Sequence, residues 1–295
     1  SVIIADVAVT VILIFREKLW RHLVVRTGNI LVKKMLLYSV PLIPTTMFWW
    51  IMSVSDRYMV NGFIGQYANG IYTVSYKIPT VLTLVSTIFM QAWQFSAVTE
   101  SHGDRKEHIK FFSGVWRSFQ AVMFLAGSAV IAFAKPAIKI LAAKQYYEAW
   151  KYVPVLSAAM IFTAFTSFVG TVYVITKQSG MSFITAFAGA AINIALNFIF
   201  IPSPLGVQGA ALATFISYFA VFIIRSLNVK KALPYKMYGG YIAVNTAIIA
   251  VQTLFSVLEL RGSTAVQAVC LLLTAAVNFK FIAACVKKLI SSVKR

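Results

Sequence analysis

Two adjacent ionisable side chains, Asp56 and Arg57, interrupt the apolar stretch FWWIMSVSDRYMVNGF (48–63), and a third, Lys77, follows in YTVSYKIPT (72–80). If the two stretches form a helical hairpin closed at 61–70, all three lie at similar depth, roughly 5–8 Å from the helix ends. The expected arrangement is a structural ion pair between Asp56 and Lys77. Arg57, about 100° farther around its helix, is then left to face something else. Ionisable groups at such depth are costly and face a bundle interior or a wet cavity. Two roles stay open at this point. Arg57 reaches out to lipid headgroups along its apolar stem, or Arg57 and Lys77 line a substrate cavity and offer charge to a phosphate. Farther along, FMQAWQFSA (89–97) places Gln91 and Gln94 on one helix face beside Trp93. Amides next to an aromatic ring suit the hydroxyls and face of a sugar, and serve equally as glue between helices.

The elements that position these groups follow from composition. Sixty per cent of the residues are hydrophobic and 12% charged, and the mean hydropathy is +0.80. Soluble domains run nearer 45–50% and about 25%, and several apolar runs here reach the roughly 20 residues that cross a bilayer. The pattern lacks the alternation of a barrel. The expected fold is therefore all-α, a polytopic transmembrane helix bundle. Spans are expected near 35–60, 71–98, 112–134, 152–176, 182–201, 209–227, 239–258 and 263–284. Before them lie a partial span at 1–15 and a basic amphipathic linker at 16–34. The organisation that results is 1–15, 16–34, a six-helix lobe at 35–227, and two further helices with a basic tail at 228–295. The chain starts at Ser1 inside an apolar run, without initiator Met or basic leader, and reads as the C-terminal part of a longer protein.

Basic residues gather on alternate loops: the linker, ESHGDRKEHIK (100–110), Lys177, the segment holding Arg225, Lys230, Lys231 and Lys236, and the tail. Loops 61–70 and 202–208 carry no charge. That asymmetry places the basic side and the C-terminus in the cytoplasm. One loop dissents, because KPAIKILAAKQYYEAWK (135–151) falls on the outer side yet holds Lys135, Lys139, Lys144 and Lys151. The net charge of +19 thus reports topology and attraction to membrane lipids. No nucleic acid is expected as partner, since the charge is dispersed over loops.

No nucleotide-binding, metalloprotease, hydrolase or calcium-loop motif occurs, and Cys270 and Cys285 stand about 22 Å apart along one helix. No metal, no cofactor and no catalytic residue is expected, and the chain reads as a non-enzyme. His22, His102 and His108 fall in polar segments where solvation is their expected state. Asn193 and Asn197, spaced i, i+4, are expected to join helices, and the small residues around Gly189 and Gly209 to let helices approach.

The run LLYSVPLIPTTMFWWIMSVSDRYMVNGFIGQYANGIYTVSYKIPTVLTLVSTIFMQAWQFSA (36–97), with SDRY, ANGIY, YKIPT and QAWQ in order, resembles the seventh and eighth helices of bacterial polysaccharide flippases. These are the Wzx-like lipid-linked oligosaccharide exporters of the multidrug/oligosaccharidyl-lipid/polysaccharide (MOP, MATE-like) superfamily. KILAAKQYYEAWKYVPVL and NFIFIPSPLGVQGAALATFISY are similar to it as well, so the likeness covers roughly 36–225. The resemblance implies the C-terminal lobe of such a protein plus two extra helices, the N-terminal lobe being a missing partner. It implies a multi-pass protein of the bacterial cytoplasmic membrane that moves undecaprenyl-pyrophosphate-linked repeat units for capsule, O-antigen or exopolysaccharide. By position Arg57, Lys77, Gln91, Trp93 and Gln94 match residues of that family's cavity helices, and Asp56 its acid. The alternatives are a cation-coupled multidrug exporter of the same superfamily, which would want more acids in its spans, and an integral-membrane glycosyltransferase or polymerase, which would want a large acidic outer domain.

Overall fold

The computed structural model describes residues 2–18, 21, 29–100 and 104–293. His22, His102, Arg295 and about half of the expected 16–34 linker lie outside them. The described residues are helical with no strand, and they form two compact units, 1–40 and 41–295. The smaller unit holds α1 (Val2–Arg16) and α2 (Asn29–Ser39). The larger unit is the helical bundle.

In the bundle, α3 (Leu42–Phe63) starts directly behind Pro41, and Pro44 sits in its first turn, where a missing N–H leaves no hydrogen bond broken. The following span is broken. Helix α4 (Gln66–Ser75) and α5 (Thr80–Glu100) are bent by 45° across Tyr76–Pro79. Pro79 explains the break, since it disfavours a helical residue before it and cannot donate to the ladder. Then come α6 (Arg105–Ala132), the short α7 (Ala134–Leu141), a 3₁₀ turn (Lys144–Lys151), α8 (Val153–Ile175), α9 (Ser179–Phe200), α10 (Val207–Ala232), α11 (Gly239–Val257) and α12 (Ser263–Val293). Seven of the described helices are long and apolar enough to cross a membrane, or eight if the bent pair is one span. The protein is thus a polytopic helical membrane protein.

Helix α8 is the axis of the bundle, packed by α5, α6, α10 and α11. Its centre is aromatic: Phe168 stacks on Trp93 of α5 at 4.8 Å and on Phe119 of α6 at 5.3 Å. Rings that meet in offset or edge geometry hold helices by shape, which matters where lipid removes the hydrophobic drive. Helices α9 and α10 meet through small residues. A Cβ on Gly209 would stand 2.5 Å from the Phe200 carbonyl oxygen, and one on Gly189 2.6 Å from Val221.

The dissenting basic loop is an ordered elbow. Its α7 buries Ala134 and Ile138 and exposes Lys139, Ile140 and Leu141, with Ile140 80% exposed. Lys135 lies 3.9 Å over the Trp150 ring, and Lys151 bridges Glu148 and Glu259 at 3.7 and 3.9 Å. The Lys151–Glu259 contact puts the elbow and the α11–α12 turn at one end of the bundle. At the opposite end Arg105 reaches the Ala232 carbonyl, and the Lys236 amide donates to Ser113.

Two sequence expectations fail here. His108 is buried in α6 with neither ring nitrogen hydrogen-bonded, beside a cavity of about 250 Å³. Arg225, assigned from sequence to a basic loop, is buried inside α10. The sequence reading ended this span near residue 227 and grouped Arg225 with the basic residues that follow, whereas the helix continues unbroken to Ala232.

Candidate functional site

Asp56 is fully buried at the point where α3, α4, α9 and α10 converge. One carboxylate oxygen accepts from Tyr72 at 3.1 Å, from Tyr76 at 3.2 Å and from the Thr214 hydroxyl. The other accepts from the Asn197 amide at 2.7 Å and weakly from Ser55 at 3.5 Å. Asn193 extends the network, taking bonds from Ser55 at 2.8 Å and Asn197 at 3.2 Å. Each donor follows from helix periodicity. Tyr72 and Tyr76 lie one turn apart at the end of α4, and Asn193 and Asn197 one turn apart on α9. Thr214 reaches in because Gly209, Ala210, Ala211 and Ala213 let α10 come close.

The expected Asp56–Lys77 pair does not form. Among the described residues Asp56 belongs to no ion pair, and neutral hydroxyl and amide donors occupy both its oxygens. Lys77 lies in the break between α4 and α5 and is exposed. The sequence expectation assumed one straight helix through Lys77. The proline break ends α4 at Ser75, and the two tyrosines that close it, Tyr72 and Tyr76, face Asp56 instead.

Arg57 lines a polar cavity of about 690 Å³ with Val54, Tyr58, Asn61, Gln66 and Asn69. Its guanidinium stands 5.0 Å from the centre of the Tyr76 ring. Its Nε and the Asn69 side-chain oxygen are buried without hydrogen-bond partners. A half-buried cation beside the carboxamides of Asn61, Gln66 and Asn69 and the Tyr58 hydroxyl is equipped to take an oxyanion.

Gln91 and Gln94 line a second cavity, of about 270 Å³, between α5 and α8. Trp93 does not join them. It is buried in the core, stacked on Phe168, and donates its indole N–H to Thr171 at 3.2 Å. Helix geometry accounts for the split: Gln91 and Gln94 share a face, while Trp93 points away toward α8 and α6.

The sequence reading did not place two arginines in the interior, where both are buried. Arg225 donates to Thr185 at 2.9 Å and to the Thr166 carbonyl at 3.2 Å, with Trp49 at 5.1 Å. Arg117 of α6 lies between the Tyr241 and Phe281 rings, at 3.8 and 4.1 Å, and donates to Asn278 at 3.0 Å. Asn278 in turn donates to Asn245 at 2.7 Å. A lone Arg in an apolar run was the available signal for both. Among the described residues no group of three or more His, Cys, Asp or Glu could hold a metal ion.

The family model described as polysaccharide biosynthesis protein matches residues 1–151, about half of the chain, from α1 through the 3₁₀ turn. No curated protein matches.

Proposed function

This chain belongs to the polysaccharide biosynthesis protein family, and from that premise we propose that it works as part of a flippase for lipid-linked oligosaccharide repeat units. The polyprenyl-pyrophosphate headgroup, with its sugars, crosses the bacterial cytoplasmic membrane while the polyprenyl tail stays in lipid. The observation that carries the reading is Arg57. Among the described residues it is a cation in no ion pair, set 5.0 Å from the Tyr76 ring centre on the wall of a roomy polar cavity, with its Nε buried and without a hydrogen-bond partner. A pyrophosphate leaving the headgroup region needs counter-charge to offset its desolvation, and Arg57 supplies it. Exposed Lys77 is a further cation for an arriving phosphate. In this reading the α3–α4 turn and the elbow face outward and the C-terminus is cytoplasmic.

The buried, cation-free Asp56 favours a second reading, a cation-coupled multidrug exporter of the MOP superfamily. A carboxylate without a basic partner can take up a proton or an alkali cation during transport. Under the flippase reading the same acid couples oligosaccharide export to a cation gradient.

Deleting the gene in the organism that encodes it separates the two. Lipid-linked repeat units trapped in the inner leaflet, and released by the restored full-length gene, are the expected result. Normal surface polymer with heightened drug sensitivity would replace the flippase with the exporter.

A further inference from the structure

The cavity between α5 and α8 carries an unusual load for a mid-bundle position. On α5, Thr83, Thr87, Gln91 and Gln94 form one stripe about 16 Å long, and all four are exposed. Facing them, Thr163 and Ser167 occupy the middle of α8. The hydroxyls of Thr163 and Ser167 donate to carbonyls of their own helix and keep acceptor capacity, and Thr83 donates to the Met160 sulfur across the groove at 3.6 Å. The Gln91 and Gln94 amides bond to no described residue.

Three occupants can be weighed. Lipid tails would leave the two carboxamides without hydrogen-bond partners at membrane depth, where no water replaces them. An ionic group would enter with nothing to neutralise it, because no acidic or basic side chain lines the cavity. A neutral polyhydroxylated ligand meets both conditions. Each of its hydroxyls donates and accepts, as the carboxamides and Ser/Thr oxygens do in return. At about 270 Å³ the cavity falls below the roughly 300–1,000 Å³ of drug-sized pockets, so it takes a short stretch of sugar rather than a whole repeat unit.

We propose that the α5–α8 groove is a binding site for uncharged sugar residues, separate from the Arg57 cavity that takes the charged phosphates. This rests on the flippase reading and divides its substrate between two chemically distinct compartments. A repeat unit bearing uronic acids or phosphate would be disfavoured in the groove by its lack of counter-charge.

The test uses the full-length protein with Cys270→Ser and Cys285→Ser, carrying Thr87→Cys in the groove or, in a separate protein, Asn61→Cys beside Arg57. Each is reacted with a water-soluble thiol reagent in membranes. The probes are the lipid-linked repeat unit extracted from the deletion strain and the same polyprenyl pyrophosphate without sugar. Expected is at least about fivefold slowing of the groove thiol by the sugar-bearing lipid alone, and slowing of the thiol beside Arg57 by both. Adding Gln91→Leu and Gln94→Leu to each protein should abolish protection of the groove thiol and leave protection of the other intact. An unreactive groove thiol, equal protection of it by both lipids, or no protection by either would overturn the groove as a sugar site. A deletion strain that traps no lipid-linked repeat overturns the flippase reading first and this inference with it.

Discussion

Asp56 and Arg57, neighbours in sequence, are tied together through one ring. Tyr76 gives its hydroxyl to the Asp56 carboxylate at 3.2 Å and lies under the Arg57 guanidinium at 5.0 Å. The buried acid and the cavity cation therefore share a support, on the residue where the break in the second span begins. Any change at Asp56 that moves Tyr76 also moves the platform of Arg57.

Tyr76→Phe and Tyr76→Leu separate the two halves of that support. The phenylalanine keeps the ring beneath Arg57 and removes one of the donors to Asp56, a loss of about 1.5–3 kcal/mol for a bond to a charged group. The leucine also removes the ring face, worth about 0.5–2 kcal/mol more. Thermal unfolding of the detergent-solubilised protein should rank wild type above the phenylalanine variant and that above the leucine variant. Equal melting of all three would show that Tyr76 supports neither group.

Arg57→Ala should abolish polymer export, and Arg57→Lys should restore only part of it, because an ammonium lacks the planar fork that meets phosphate oxygens in pairs. The readout is trapped lipid-linked repeat units at equal protein level. Export at wild-type level in the alanine variant would remove Arg57 from the substrate path.

Asp56→Asn keeps the shape of the side chain, and its amide oxygen still accepts from Tyr72, Asn197 or Thr214. The fold should hold, with Tm within a few degrees of wild type. Gradient-driven export should stop, because the amide takes up neither a proton nor a cation. Full export by Asp56→Asn would make the network purely structural.

The charge pattern and the hydropathy of the chain carry the bundle plainly, since lipid forces every backbone group into a helix and leaves span length as the main variable. The same logic reached Asn193 and Asn197 as a joint between helices, which they are: Asn197 on Asp56 and Asn193 on Ser55. What the pattern did not carry is side-chain direction after a break. Lys77 looked like the partner of Asp56 because opposite charges at equal depth attract. Pro79 ends the helix, however, and neutral hydroxyls and an amide satisfy the acid with no cation. Trp93 failed for the reverse reason. Its neighbours Gln91 and Gln94 are set on another face, and a residue between them in sequence lies behind them in space. Arg117 and Arg225 were absorbed into a count of basic residues, which registers charge but not burial.

Arg117 leads to the last prediction. Clamped between Tyr241 of α11 and Phe281 of α12 and bonded to Asn278, it is the described residue of α6 that touches both final helices through its charge. Two of its nitrogens, Nε and Nη2, are buried without partners. The cation is thus held by ring faces and one amide, not by an acid. Breaking that hold is more damaging than replacing it. Asn278→Leu takes from the buried guanidinium its amide acceptor, at a cost of about 1–3 kcal/mol or more. Arg117→Met in the same protein removes the stranded charge and fills the slot between the rings with a flexible apolar chain. The double variant should therefore be more stable than Asn278→Leu alone, as replacing both members of a buried polar pair often is. Limited proteolysis at the 233–238 connection, read on the intact protein in detergent, should speed up in Asn278→Leu and return toward wild type in the double variant. If the two substitutions simply add, Arg117 does not fasten α11 and α12 to α6, and packing between α6 and α12 alone holds them.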